Sequence, residues 1–236
     1  MQAPFLKDIR LLKERMTAGV HPFTLPFLQN GDFALSFTTP VTILVGENGC
    51  GKSTLLEAIA THCGFHQGGG SRDHNYGNDH QEDLLAKALR LSWLPKVTQG
   101  FFFRAESFLG LSSYVDDLVQ RWPEMRAYYG ERPLTAQSHG ESFLALFRNR
   151  LGSRGRAIYL LDEPEAALSP RRQVAFLDLM AQWQRSTTVQ VIMATHSPLL
   201  MSLAGARVLW MEGATVREVP YTETDHYRVM RTFFAG

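Results

Sequence analysis

Residues 46–53 read Gly-Glu-Asn-Gly-Cys-Gly-Lys-Ser and fit G-x-x-x-x-G-K-[ST] at every fixed position. No other stretch constrains the fold so tightly. The pattern needs a buried strand before it and a helix after it. The flanks supply both: "VTILVG" is almost continuously apolar, and 53–62 has helical spacing. The glycines let the backbone wrap an anion and turn its N–H groups inward. The helix opening at Ser53 adds its positive end. Lys52 is placed for the β- and γ-phosphates of a nucleotide, and the Ser53 hydroxyl for Mg²⁺. The nucleotide-binding set is therefore Gly46, Asn48, Gly49, Cys50, Gly51, Lys52, Ser53 and Thr54. Cys50 reads as a spacer position, with a reactive thiol as the alternative.

The flanking sequence extends this strand-loop-helix unit into an α/β pattern. "GFFFR" (100–104), "AIYLL" and "VQVIMA" are further short apolar runs. Such runs suit strands covered on both faces of a parallel sheet. Helical spacing separates them over 112–122, 138–150 and 170–185, the last opened by Pro170. Spacing over 82–94 also reads as helical. Residues 23–45 read as antiparallel β structure, with Asn30-Gly31 as a hairpin turn. "RVLWM-EGA-TVREV" reads as a closing hairpin. The expectation is α/β: one domain over 1–236 with a mainly parallel sheet flanked by helices. An N-terminal antiparallel β-subdomain and a helical subdomain at about 82–150 complete it. "HQGGGSRDHNYGNDHQED" (66–83) breaks the pattern and reads as a mobile loop.

Charge excludes some partners and leaves others open. The chain carries 24 basic and 23 acidic residues, a net charge of +1. No global field draws it to nucleic acid or to an anionic membrane. Apolar runs fall far short of the ~18 residues that span a bilayer. The N-terminal stretch lacks a signal-peptide core. Two cysteines, Cys50 and Cys63, make no disulfide framework. The expected location is cytoplasmic.

"AIYLLDEPEAALSP" places Asp162 at the end of a buried strand and Glu163 beside it. A strand-end Asp completes the Mg²⁺ shell in enzymes with this phosphate loop, and a second acid can polarise the attacking water. The stretch resembles the Walker B and D-loop segment of the ABC-type ATPases, and "MATHSP" resembles their switch strand and histidine, here His196. "QSHGES" (137–142) stands where that family carries its signature. Ser138 lies 24 residues before Asp162, and His196 lies 34 after it. The signature departs from the transporter form. "SHGE" and "GFFFRAESF" are similar to stand-alone ABC-class ATPases related to SMC and RecF-type heads. Only 84 residues separate Ser53 from Ser138, too few for a long coiled-coil arm.

The resemblance implies an ATP-hydrolysing protein with ATP and Mg²⁺ as ligands. It implies a homodimer that sandwiches ATP, with Ser138 and the Gly140 N–H reaching the γ-phosphate from the facing copy. Glu163 positions water, His196 meets the γ-phosphate and Lys52 completes the catalytic set. Metal ligands are Ser53, Asp162 and, as the polar residue after the "GFFFRA" strand, Glu106, with Gln99 as runner-up. Glu141 replaces a Gln, and its side chain is expected to point away from the phosphate. The partner is an unknown protein or nucleic acid. The alternative is the ATP-binding subunit of a membrane permease, disfavoured by the signature.

Other features read as structural. Phe23, Phe27 and His21 are available to stack on adenine but read as β-subdomain packing. "FFF" at 101–103 reads as core. His62, Cys63, His66, His74 and His80 match no zinc spacing. Arg148, Arg150, Arg154 and Arg156 read as a solvated helix end, with a DNA-contact patch as the alternative.

Overall fold

The computed structural model describes residues 1–66, 69–70, 83–151 and 155–235. His74, His80, Arg154 and most of the 66–83 stretch lie outside these, as does the side chain of Arg150. Strands are β1 (Leu6–Leu11), β2 (Ala34–Ser36), β3 (Val41–Val45), β4 (Leu89–Trp93), β5 (Gly100–Arg104), β6 (Ala157–Asp162), β7 (Val189–Ala194), β8 (Arg207–Glu212) and β9 (Thr215–Glu218). Helices are α1 (Lys52–Cys63), α2 (Leu84–Ala88), α3 (Phe108–Arg121), α4 (Arg126–Tyr129), α5 (His139–Leu151), α6 (Pro170–Ser186), α7 (Pro198–Met201) and α8 (Asp225–Ala235).

The main sheet runs β5-β6-β7-β3-β8-β9, parallel throughout except for the β8–β9 hairpin. Its central strands are apolar on both faces because each face has its own core. Val41, Ile43 and Val45 of β3 join one cluster, while Leu44 joins the other. Tyr159 and Leu161 of β6 likewise part from Ile158 and Leu160. The first cluster holds a run of aromatic rings. Phe143 of α5 lies 4.7 Å from Phe103 and 4.9 Å from Phe176, ring centre to ring centre. These edge-on contacts fix α5 between β5 and α6. Phe101, Phe102 and Phe103 are all fully buried, as core.

A second sheet, β2-β1-β4, is antiparallel. It corrects two local expectations. Residues 23–33 do not form a hairpin arm: Pro26–Leu28 is a 3-10 turn, and only Ala34–Ser36 pairs. Phe23, Leu25, Phe27 and Leu28 are buried instead beneath the phosphate loop side of α1. Residues 82–94 are not one helix, since α2 stops at Ala88 and β4 begins at Leu89. In β4 Leu89 is buried and Arg90 exposed, and β1 supplies the pairing. Non-local hydrogen bonds override a five-residue stretch of helical spacing. None of the helices among the described residues is long and apolar enough to cross a membrane.

Candidate active site

Gly46 follows β3, Asp162 ends β6, and His196 follows β7 by two residues. These strands are neighbours in the order β6-β7-β3 and run parallel. Three functional ends therefore stand side by side, each step about 4.8 Å apart. That is the edge where open α/β sheets bind ligands.

The loop adopts a conformation that its residue types dictate. Gly51 has φ 98°, and a Cβ there would stand 2.6 Å from a Phe27 ring carbon. A Cβ on Gly46 would meet the Met211 carbonyl at 2.5 Å. Lys52, Ser53 and Thr54 open α1, so their backbone N–H groups lack acceptors in the preceding turn. Asn48 and Gly49 form the exposed tip, and Cys50 is half-buried, in no disulfide, with its Sγ 3.9 Å from Lys52 Nζ. The Lys52 ammonium is buried and donates to the carbonyls of Gly46 (2.7 Å) and Glu47 (3.0 Å).

Ser53 Oγ donates to Asp162 Oδ1 at 2.9 Å. Burial pushes the Asp162 carboxyl up to about 6, against the pull of Ser53 and Arg104. Glu163 adopts left-handed backbone, φ 49° and ψ 52°. A non-glycine residue held there costs on the order of 1 kcal/mol. Its carboxylate lies 3.6 Å from His196 Nε2. That nitrogen is buried and has no hydrogen-bond partner among the described residues. Below it, Glu165 accepts from the His196 backbone N–H (2.5 Å) and from Thr195 Oγ1 (2.7 Å). Burial raises the Glu165 carboxyl. His226, at the start of α8, meets His196 Nδ1 with its Nε2 at 2.8 Å.

These groups fit a nucleotide with its cation. Lys52 offers donors that now meet the Gly46 and Glu47 carbonyls and the Cys50 sulfur (3.9 Å), and His196 Nε2 makes no hydrogen bond among the described residues. No group of three or more His, Cys, Asp or Glu that could hold a metal occurs among the described residues. Ser53 and Asp162 present two adjacent oxygens, a pair that could hold Mg²⁺ beside phosphates and water.

Two family models match the chain. One, described as "AAA domain, putative AbiEii toxin, Type IV TA system", covers residues 142–202, and one described as "AAA domain" covers 19–87. A hemin import ATP-binding protein of Rhodococcus jostii is 32% identical over 196 residues, 75% of this chain and 63% of that protein. The chain thus spans under two thirds of that relative. A thiamine import ATP-binding protein of Chelativorans sp. is 28% identical over 216 residues, 81% and 82% of the two chains. A solved structure titled "An inward-facing conformation of a putative metal-chelate type ABC transporter" shares the fold, with TM-score 0.55 and 16% identity over 99% of this chain and 90% of that one. In sequence as in fold, the chain is similar to the ABC-type P-loop ATP-binding proteins.

The remaining expected residues fall in separate places. Ser138 precedes α5, and its N–H and hydroxyl both donate to Glu141 Oε2, at 3.1 and 2.9 Å. Arg172 of α6 donates to Ser138 Oγ at 2.7 Å and pairs with Glu141 Oε1 at 3.0 Å. A Cβ on Gly140 would stand 2.6 Å from Arg172 Cδ. Glu141 therefore turns onto Ser138 rather than away. Donation from the Ser138 backbone and hydroxyl lowers its carboxyl. The pattern S-x-x-E is a helix-capping box, a signal present in the sequence.

Glu106 is exposed and bound to Arg104, which also binds Glu57 of α1. Arg104, not Glu106, approaches Asp162, with Nε 3.9 Å from Oδ2. Gln99 precedes Gly100, and Gly100 pairs with Ile158 while Arg104 pairs with Asp162. Gln99 is therefore at the opposite end of β5 from the site. Sequence reasoning missed Arg104, Glu57, Glu165, Arg172 and His226. The third acid of "DEPE", Glu165, and the Arg in "FFFRAE" were visible but had no assigned partner. His226 carried no signal. His62 Nε2 meets the Ala86 carbonyl at 2.8 Å, an ordinary structural contact. Of the basic run, Arg148 and Arg156 are exposed.

Proposed function

We propose that the chain is a nucleotide-driven switch in which two copies enclose two ATP molecules and hydrolyse them. One observation carries this reading. Among the described residues, no hydrogen bond links Ser138 to Lys52, Ser53, Asp162, Glu163 or His196. The signature donors and the phosphate loop form two separate half-sites, as a site completed by a second copy requires. In each composite site the P-loop N–H groups of Gly49 to Thr54 and the Lys52 ammonium hold the phosphates. Mg²⁺ at Ser53 and Asp162 would neutralise developing charge on the β- and γ-oxygens. Glu106 reaches that shell only on leaving Arg104. Glu163 orients the attacking water, and His196 Nε2–H and the facing Ser138 and Gly140 N–H stabilise the transferring γ-phosphoryl group. Residues 1–236 are read as one ATPase domain working in the cytoplasm, with α3–α5 carrying the signature.

The Glu163→Gln protein tests this. It is expected to retain ATP and to elute as a dimer with Mg-ATP. Elution as a monomer at saturating nucleotide would sink the sandwich.

A second reading is supported by the relatives named as import ATP-binding proteins: a subunit that serves a membrane permease. It shares the same site and dimer. Capture of a permease by the Glu163→Gln protein with ATP separates it from a nuclease or nucleic-acid partner.

A further inference from the structure

α8 belongs to the catalytic site, although neither the P-loop nor the signature includes it. Thr224 caps this helix and is itself buried, donating its hydroxyl to the Tyr221 carbonyl at 2.7 Å and accepting from the Tyr227 N–H at 3.3 Å. The cap fixes the first turn. It sets the His226 ring against that of His196, with ring centres 5.0 Å apart and the planes inclined by 52°. Beyond that turn α8 buries nothing: Val229, Met230, Phe233 and Phe234 are all exposed. The helix is thus held to the body at its start, and the histidine pair stands at that point.

Only one hydrogen fits between His226 Nε2 and His196 Nδ1 at 2.8 Å. It belongs to one ring or the other. If His196 donated it, its neutral ring would present a bare lone pair at Nε2. That lone pair would face the Glu163 carboxylate oxygen 3.6 Å away and would offer a γ-phosphate nothing. If His226 donates it, His196 Nδ1 accepts, and the His196 proton sits on Nε2. The buried, unpartnered nitrogen then becomes a hydrogen-bond donor aimed into the site. Burial holds both imidazoles below their ordinary range, so the neutral rings are the forms that matter near pH 7. The bond made at one ring nitrogen decides what the other can do.

We infer that His226 is a positioning residue that donates from Nε2 to His196 Nδ1 and so fixes His196 as the Nε2–H donor to the γ-phosphate. The backbone N–H of His196 on Glu165 holds the residue's place. His226 holds the ring's angle and its tautomer. The assignment rests on the proposed role of His196, and two measurements keep the two separate.

The first measurement needs no catalysis. Long-range ¹⁵N–¹H spectra of the nucleotide-free protein report which His196 nitrogen carries the proton. The expected result is Nε2 in the parent and a mixture of both forms in His226→Ala. A proton on Nδ1 in the parent overturns the inference. The second is steady-state turnover of Mg-ATP by the full chain. His226→Ala is expected to lower kcat by about 10- to 100-fold, the usual loss when an orienting partner is removed. The KM for ATP stays within about twofold, because the lost contact acts in the transition state. His226→Gln, whose amide can donate to Nδ1, recovers most of the turnover. If His196→Ala abolishes turnover while His226→Ala leaves it intact, the positioning role is wrong and the proposed function stands. If His196→Ala itself turns over normally, the role assigned to His196 fails and the inference goes with it.

Discussion

In the proposed role Asp162 would share a cation with Ser53 as a carboxylate, yet its position favours the acid. It is buried at the end of β6, and desolvation pushes it up to about 6 from an ordinary value of 3.8. The folded protein therefore binds more protons than the unfolded chain between about pH 4 and 6. Its stabilising contribution is complete below about 4 and is lost as pH rises through about 6. The size is on the order of 3 kcal/mol. Burial raises Glu57 and Glu165 as well, and they act with the same sign. The informative quantity is thus the difference between parent and Asp162→Asn. In metal-free buffer the parent's melting temperature is expected to fall relative to the variant's as pH rises from 4 to 7. Parallel curves would remove the burial penalty at Asp162. Mg-ATP reverses the effect, because a bound dication favours the charged carboxylate. At this scale the sequence was legible wherever a motif specified a residue by its covalent neighbours. Lys52 and Ser53 are written contiguously with β3 and Asp162 with β6, and the strand order β6-β7-β3 brings the two motifs together. Arg172 and His226 were not legible, since each reaches the site from a helix about 30 residues away from the residue it touches.

Parallel strands and their connecting helices were readable because each apolar run is bounded by polar loops. The small antiparallel sheet was expected at the N-terminal end, but two of its strands, β1 and β4, were not. β1 carries "LKDIRL", whose charges interrupt the apolar pattern and whose partners β2 and β4 are distant in sequence. Besides apolar packing, a buried residue inside β7 ties this sheet to the main one. Gln190 accepts the N–H groups of Phe5 and Leu6, both at 2.8 Å, and donates to the Leu6 carbonyl at 3.1 Å. In "VQVIMA" it looks like an interruption of an apolar run. It is fully buried and serves as the hydrogen-bonding edge for another sheet. Replacement by Leu keeps the volume and strands these backbone groups. The expected cost is about 2–4 kcal/mol, from the desolvation of unpaired buried donors. A denaturant midpoint measures it. Hydrogen exchange should rise first along Leu6–Leu11 while β3, β6 and β7 stay protected. A loss of protection shared equally by all strands would mean that Gln190 supports the main sheet instead.

For the whole molecule the decisive question is whether one chain or two make a site. α5 is fixed by Phe143 and Phe147 within the aromatic core, and Ser138 at its start is already occupied by Glu141 and Arg172. Within one chain these contacts hold the signature apart from the phosphate loop. In a two-fold sandwich each site takes its loop from one copy and its signature from the other. Two inactive variants should then rescue each other. Lys52→Ala destroys the loop half and keeps Ser138. Ser138→Arg blocks the signature half and keeps Lys52. A mixed dimer pairs the intact loop of one chain with the intact signature of the other, and its second site holds both lesions. With equal amounts and random exchange, half the dimers are mixed and each has one working site. Turnover per chain is expected at roughly a quarter of the parent value if the two sites act independently. Each variant alone should stay near zero at the same concentration. No recovery on mixing, after exchange has been verified by differently tagged chains, would mean that each active site is built within one chain.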